Sequence, residues 1–299
     1  VRLEVLDGSN GALLSGQDLP GLALSGLEVA ADGSTIVVAA GLDFYILDGA
    51  GQILHQQILN AAPSAVAVAG DGSRVAVGSV GQLVVLRPLT RGWGVMITLT
   101  RPLSDVVTAL DLSADGAIMA AAWWRYTTGT WARLEMRNDA ILVAQHEQWG
   151  TASTVQTLPR SVCIPPDGRR AAFGSWGNGA SEELVLLEAG MALPVWEIDL
   201  PGSVMGLDLD ETGTQIVVAH KDGHAGTFGT TGAIRLFDTG EATLRQDNPM
   251  NTGGLVSFST HLDGAVISLL LVGQRADPLA LPGVTGLLQL DRPSLSVLP

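Results

Sequence analysis

The sequence predicts an all-β fold built from repeated four-stranded sheets, and three observations predict it. The first is a phrase of short strand, Asp-Gly turn and small-residue strand that recurs along the chain. It reads "LEVAADGSTIVVAA" (27–40), "VAVAGDGSRVAVGS" (66–79), "LDLSADGAIMAAA" (110–122), "CIPPDGRRAAFGS" (163–175), "LDLDETGTQIVVA" (207–219) and "SFSTHLDGAVISL" (257–269). The second is a companion strand that ends on an acidic residue and a glycine: "VRLEVLDGSNG" (1–11), "DFYILDGAG" (43–51), "ELVLLEAG" (183–190) and "GAIRLFDTGEA" (232–242). The third is that no comparably long stretch carries the apolar periodicity and caps of a helix.

The turn glycines are Gly33, Gly72, Gly116, Gly168, Gly213 and Gly264, spaced 39, 44, 52, 45 and 51 residues apart. A period in the forties, written in strands and turns, is the signature of a β-propeller. Asp-Gly supplies the positive φ that a tight hairpin turn demands. The Ala, Val and Gly residues that follow suit an inner strand crowded near the axis. The companion strand alternates with period two, so its large apolar residues pack on the neighbouring sheet. One such sheet cannot bury both faces alone, whereas a ring of them can.

The chain opens with an outer-strand pair (1–20) that no inner pair precedes. Residues 286–299, "GLLQLDRPSLSVLP", align with 26–39 as an inner hairpin. The two segments are expected to share one blade, which makes residues 1–299 a single propeller of seven blades. The competing alignment treats 286–299 as outer strands and gives six blades with a surplus pair.

Composition narrows the function classes. The formal charge is −14, and Lys221 is the one lysine among 16 basic residues. Nucleic acid and anionic membranes require clustered Lys or Arg, so neither is an expected partner. Apolar runs such as "AVISLLLV" (265–272) are far shorter than a membrane span. Cys163 is the only cysteine, so no internal disulfide or CxxC site exists. It is expected to be a buried, inert thiol. The start at Val1 rather than Met is read as a processed, exported protein: extracellular, cell-surface or periplasmic.

"AIRLFDTGEA" resembles the third strand of a WD40 blade, with Phe237 where the tryptophan of the Trp-Asp pair stands. The Asp-Gly hairpins are similar to those of bacterial WD40-like and YVTN-type propellers. The resemblance covers nearly the whole chain, but no blade carries a Trp-Asp dipeptide or opens on a Gly-His pair. It implies a fold and a habit of binding, and carries over no catalytic residue.

Candidate binding residues follow from loop lengths. Connections between second and third strands are short in the first two blades and long in the next ones: "WWRYTTGTW", "SWGNGASEE", "HKDGHAGTFGTTG" and "VGQRADP". These loops share one face with the long linker that holds Trp149, and insertions on one face are how repeat scaffolds carry binding sites. Trp123, Trp124, Arg125, Tyr126, Trp149, Trp176 and Lys221 are the binding candidates, with Trp131 in the same cluster. Trp, Tyr and Arg combine contact area with a polar handle. Adjacent Trp123 and Trp124 point to opposite faces, so at least one is expected to fill an inter-blade gap. Trp93 and Trp196 are expected to be packing residues.

His220, Asp222 and His224 in "HKDGH" are candidate ligands for zinc or copper, although a site needs a further ligand. "DLDETG" (208–213) looks like the start of a calcium loop but has Ala219 where the last acidic ligand belongs. Nucleophile elbows, HExxH, P-loops and dinucleotide fingerprints are all missing. The inner strands show no convergence of acidic, His or Arg residues towards an axial funnel. The reading therefore leans to a non-enzymatic scaffold, with no catalytic residue and no cofactor. It recognises a protein or glycan through the loop-rich face of blades three to six. A structural module of a larger extracellular assembly and a funnel-site hydrolase or quinoprotein-type dehydrogenase are the alternatives.

Overall fold

The computed structural model describes residues 2–20, 23–126, 130–150, 156–177, 181–227 and 231–239, and six short strands after residue 243. The chain separates into two units, Val1–Leu236 and Phe237–Pro299. The described secondary structure is entirely β, and no described helix is long and apolar enough to cross a membrane.

The first unit begins with β1 (Arg2–Leu6) and β2 (Leu13–Asp18), a two-stranded antiparallel sheet. Four up-and-down sheets of four strands follow. They are β3 (Leu24–Val29) to β6 (Ile53–Ile58), β7 (Ala65–Val68) to β10 (Trp93–Thr100), β11 (Asp105–Leu112) to β14 (Ile141–Trp149), and β15 (Pro159–Cys163) to β18 (Trp196–Ile198). A three-stranded sheet, β19 (Val204–Leu209), β20 (Gln215–Lys221) and β21 (Gly232–Asp238), comes next.

The repeated phrase builds the repeated hairpin. Gly33, Gly72, Gly116, Gly168 and Gly213 all have φ between 66° and 71°. Each turn glycine donates its N–H three residues back, as Gly33 does to the Ala30 carbonyl at 2.8 Å. The Asp before it accepts the N–H two residues on: Ser34 to Asp32 at 2.8 Å, Ser73 to Asp71 at 2.9 Å, Ala117 to Asp115 at 2.9 Å and Arg169 to Asp167 at 2.9 Å. The fifth turn has Thr212 at that position. There Asp210 takes over, accepting from the N–H groups of Thr214 and Gln215.

Successive sheets pack face to face, and the first strand of each touches the first strand of the next: β3 with β7, β7 with β11, β11 with β15, β15 with β19. The small residues after the turn permit this closeness. Ala120, Ala122, Ala171 and Ala109 interleave with Phe173, Leu134 and Val185 between the third and fourth sheets. Val37, Ala39, Phe44 and Ile46 meet Val66, Val77 and Val84 between the first and second. Turns join across sheets as well: the Asp71 N–H donates to the Ala114 carbonyl at 2.9 Å, and Ala114 to Pro166 at 3.0 Å. Trp93 packs partly buried against the cluster of the first two sheets, and Trp196 is buried.

A buried ion network reinforces the second and third sheets. Glu135 on β13 (Thr130–Asn138) is fully buried between Arg101, Arg133 and Arg137, with Arg133 Nε at 2.6 Å and Arg137 Nε at 2.9 Å. The Arg101 guanidinium also lies 4.9 Å over the Trp123 ring.

The opening pair packs on the first full sheet. Leu3 and Val5 of β1 are partly buried against Ile36, Val38, Tyr45 and Leu47, on the face of the first full sheet opposite the second sheet. On that same face, the register of β3 with β4 (Thr35–Ala40) sets Leu27 beside Val38 and Val29 beside Ile36. Leu27 and Val29 are nonetheless exposed, as is Leu24.

In the second unit β22 (Leu244–Gln246), β23 (Leu255–Leu262), β24 (Ala265–Val272) and β27 (Ser296–Val297) form one antiparallel sheet. β25 (Pro278–Leu279) pairs with β26 (Leu288–Gln289). The hairpin expected within 286–299 would pair β26 with β27. Here β27 lies instead on β24, whose long apolar strand offers it an open edge.

Candidate functional site

In an up-and-down sheet the first and third connections emerge at one end and the second at the other. The second connections, and the linkers between sheets, therefore gather opposite the Asp-Gly turns. Here segments of the third, fourth and fifth sheets exchange a set of polar contacts. The indole N–H of Trp124, on β12 (Ile118–Tyr126), donates to the Gln156 carbonyl at 2.9 Å. Gly150 N–H donates to the Thr130 carbonyl at 3.0 Å, and the Thr157 hydroxyl lies 3.1 Å from that of Thr130. Gln148 Nε2 donates to the Glu182 carbonyl at 2.6 Å, and Gly177 N–H to Ser203 Oγ at 3.0 Å. Thr157 is fully buried at φ 51°. A β-branched residue there is strained, and such strain concentrates at functional segments.

The aromatic candidates separate sharply in this setting. Trp149 is 63% exposed, and its ring lies 6.3 Å from that of Trp131, which is buried. Arg125 lies 4.7 Å over Trp131 and grips the fully buried Asp105 with both Nε and Nη2, at 2.5 and 2.8 Å. That pairing holds the Arg125 charge firmly. An exposed indole thus rests on a rigid stack of Trp131, Arg125 and Asp105.

Trp123 is a correction to the sequence-based site. It is completely buried between the second and third sheets, so it is a packing residue with no surface to offer. Trp124, facing the other way, is partly exposed. Tyr126 ends β12 opposite Thr130, and its side chain lies outside the described residues. Lys221 is also turned to structural use: its Nζ donates to the carbonyls of Ala225, at 3.2 Å, and Thr227, which closes its own loop.

The "HKDGH" residues do not converge on one point. His220 is buried and sets Nδ1 3.4 Å from Asp222 Oδ1. Asp222 Oδ2 accepts from the Thr231 hydroxyl at 2.6 Å. His224 turns away to meet Trp176 edge-on, with centroids 5.8 Å apart, while its Nδ1 accepts the Gly226 N–H at 3.1 Å. Among the described residues no three His, Cys, Asp or Glu side chains are grouped to hold a metal ion. The start of the calcium-like stretch is a hairpin turn, in which Asp210 is held down to about 2, first by the Thr212 hydroxyl and then by the Gln215 N–H.

A second grouping was missed from sequence. Five residues before the turn glycines stand Glu28, Ala67, Asp111, Cys163 and Asp208. All lie on the first strands, where the sheets touch. Asp111 Oδ1 accepts Leu112 N–H and Oδ2 accepts Ile164 N–H, both at 2.8 Å. The Cys163 thiol donates to Asp208 Oδ1 at 3.1 Å, and Leu209 N–H reaches Cys163 Sγ at 3.2 Å. Burial is the main reason the Cys163 thiol is pushed far up, with Asp208 adding to it. It is a buried free thiol, as its apolar run implies. Acidic side chains and a thiol thus recur at one register position along the first strands. The signal was present in the repeat register but spread over different residue types.

These features define an all-β, propeller-like repeat protein. Among solved structures the chain is similar to hydrazine synthase of Kuenenia stuttgartiensis, with a TM-score of 0.52 over 85% of this chain and 78% of that one. The two are 15% identical, so the likeness is one of fold. No family model and no curated protein matches the sequence.

Proposed function

We propose that the chain is a non-enzymatic binding scaffold, exported or surface-exposed, that recognises a protein or glycan through the connection end of its sheets. The observation that carries this reading is Trp149, an exposed indole held on the buried stack of Trp131 and Arg125. Rigid, half-exposed aromatic surface of this kind is what binding hot spots use, because little side-chain entropy is lost on contact. Trp124 and Trp176, both partly exposed, extend the same end.

Propeller closure belongs to the same proposal. Seven blades, with 1–20 and 286–299 sharing one, would cover the exposed Leu24, Leu27 and Val29 of β3. This arrangement requires β26 and β27 to pair with each other rather than with β25 and β24. The role as a module of a larger assembly rests on a different face: Met205, Val217, Ile234 and Leu236 are exposed on the last sheet of the first unit.

The test is titration of soluble oligosaccharides and candidate surface proteins against tryptophan emission, with folding checked by circular dichroism. Trp149→Ala and Trp176→Ala are expected to weaken binding by about tenfold or more. Unchanged affinity in both variants removes the aromatic end from the account.

A further inference from the structure

The exposed indole of Trp149 does not stand alone on its strand. Residues two apart on a strand share a face, and so do cross-strand partners. The register of β13 with β14 pairs Trp131 with Trp149, Arg133 with Glu147 and Glu135 with Gln145. Trp131 and Glu135 are buried and Arg133 is half-buried, whereas all three partners on β14 are exposed. β14 is the last strand of its sheet. Gln145, Glu147 and Trp149 therefore form a strip along one face of an edge strand, at about 7 Å per step.

One guanidinium orders the polar part of this strip. Arg133 sets Nε on the buried Glu135 at 2.6 Å and Nη1 on Glu147 Oε1 at 3.3 Å, and it donates Nη2 to Gln145 Oε1. Glu147 Oε2, an acceptor, and Gln145 Nε2, a donor, have no partner among the described residues. A supported aromatic plane is thus followed along the strand by a positioned acceptor and a positioned donor.

Charge decides what such a strip takes. Arg101, Arg125, Arg133 and Arg137 are paired around it with Asp105, Glu135 and Glu147. A cationic ligand meets the surplus guanidinium, and an anionic ligand meets a chain of formal charge −14. The ligand favoured is uncharged, has a flat apolar face to lay on an indole, and carries neighbouring hydroxyls that both donate and accept. A pyranose ring has all three properties.

Building on the binding reading above, we propose that the Gln145–Glu147–Trp149 strip is a subsite for a neutral saccharide chain, stacked on Trp149 with its hydroxyls on Glu147 Oε2 and Gln145 Nε2. Arg133 holds both polar groups in place before the sugar arrives, which lowers the ordering cost of binding.

The probes are soluble neutral oligosaccharides (glucan, mannan, xylan and chitin fragments), with oligogalacturonate as the charged control, titrated by calorimetry. A neutral fragment is expected to bind wild type. Trp149→Ala is expected to lose about tenfold or more in affinity. Glu147→Ala and Gln145→Ala should each lose about fivefold to tenfold, the worth of one hydrogen bond. Should either truncation not fold, Glu147→Gln and Gln145→Asn are expected to show smaller losses in the same direction. Sugar binding that needs Trp149 but is unchanged by every substitution at Glu147 and Gln145 overturns the strip and leaves the binding reading standing. A surface protein that Trp149→Ala weakens, with no neutral fragment bound, does the same. Binding of oligogalacturonate alone, or of no probe at all, also overturns the proposal. Neutral-sugar binding indifferent to Trp149→Ala overturns both the strip and the reading it rests on.

Discussion

At the turn end of the sheets, four hairpins repeat one set of side-chain bonds; at the connection end the main chain still repeats, with Gly41, Trp176 and Lys221 each donating to the carbonyl 18 residues back, but the side-chain contacts differ from join to join. Asp32, Asp71, Asp115 and Asp167 each accept from the N–H two residues on, beside a glycine of positive φ. Across the molecule, Trp131 meets Trp149, Trp124 reaches Gln156, Gln148 reaches Glu182, and Trp176 meets His224. The turn end uses rules satisfied within six residues, so it tolerates repetition. The connection end depends on contacts between distant segments, and there each sheet has become different. Recognition needs that kind of difference; a scaffold needs the repetition.

The largest effect is expected where the connection end is buried. Trp131→Ala removes the indole beneath both Trp149 and Arg125 and should cost about 3–5 kcal/mol, as large-to-small core changes do. Urea unfolding measures this, and a loss below 1 kcal/mol would mean that the stack is not a rigid support.

A smaller effect, separable into parts, is expected at the turns. Gly33 and Gly116 share a positive φ, but a Cβ at Gly33 meets nothing within 4 Å, whereas one at Gly116 meets Arg74 Cδ at 2.8 Å. Gly33→Ala should cost about 1 kcal/mol for the backbone alone, and Gly116→Ala about 2 kcal/mol. Equal costs would show that the turns are not pressed against their neighbours.

The smallest effect is expected at Asp210, an exposed carboxylate held down to about 2 by hydroxyl and N–H donors. A lowered carboxylate pKa stabilises above the unfolded value and stops doing so as pH falls through the folded one. Asp210→Ala should therefore lower the thermal midpoint at pH 6 but not at pH 2. The same shift at both pH values would contradict the assigned bonds.

This contrast also explains what the sequence discloses. The hairpins are legible because Asp, Gly and the residues after them carry their own geometry. The split of Trp123 from Trp124 is legible as alternation, but which one is buried is not, since that depends on the second sheet and on Arg101. The exposure of Trp149 rests on its contact with Trp131, 18 positions earlier. "HKDGH" reads as a ligand set only until Trp176, from another sheet, draws His224 away. The Asp111–Cys163–Asp208 line was hidden because a carboxylate and a thiol do the same job at one repeat position. Pattern reading by residue type passes over such an equivalence.

The division of labour between the two ends can be measured in a single binding assay that compares Trp149→Ala with the turn-end variant Asp71→Ala, using one oligosaccharide or protein that wild type binds. The account predicts that Trp149→Ala loses about tenfold or more in affinity while Asp71→Ala binds as wild type does. Equal losses, or a loss confined to Asp71→Ala, would contradict it.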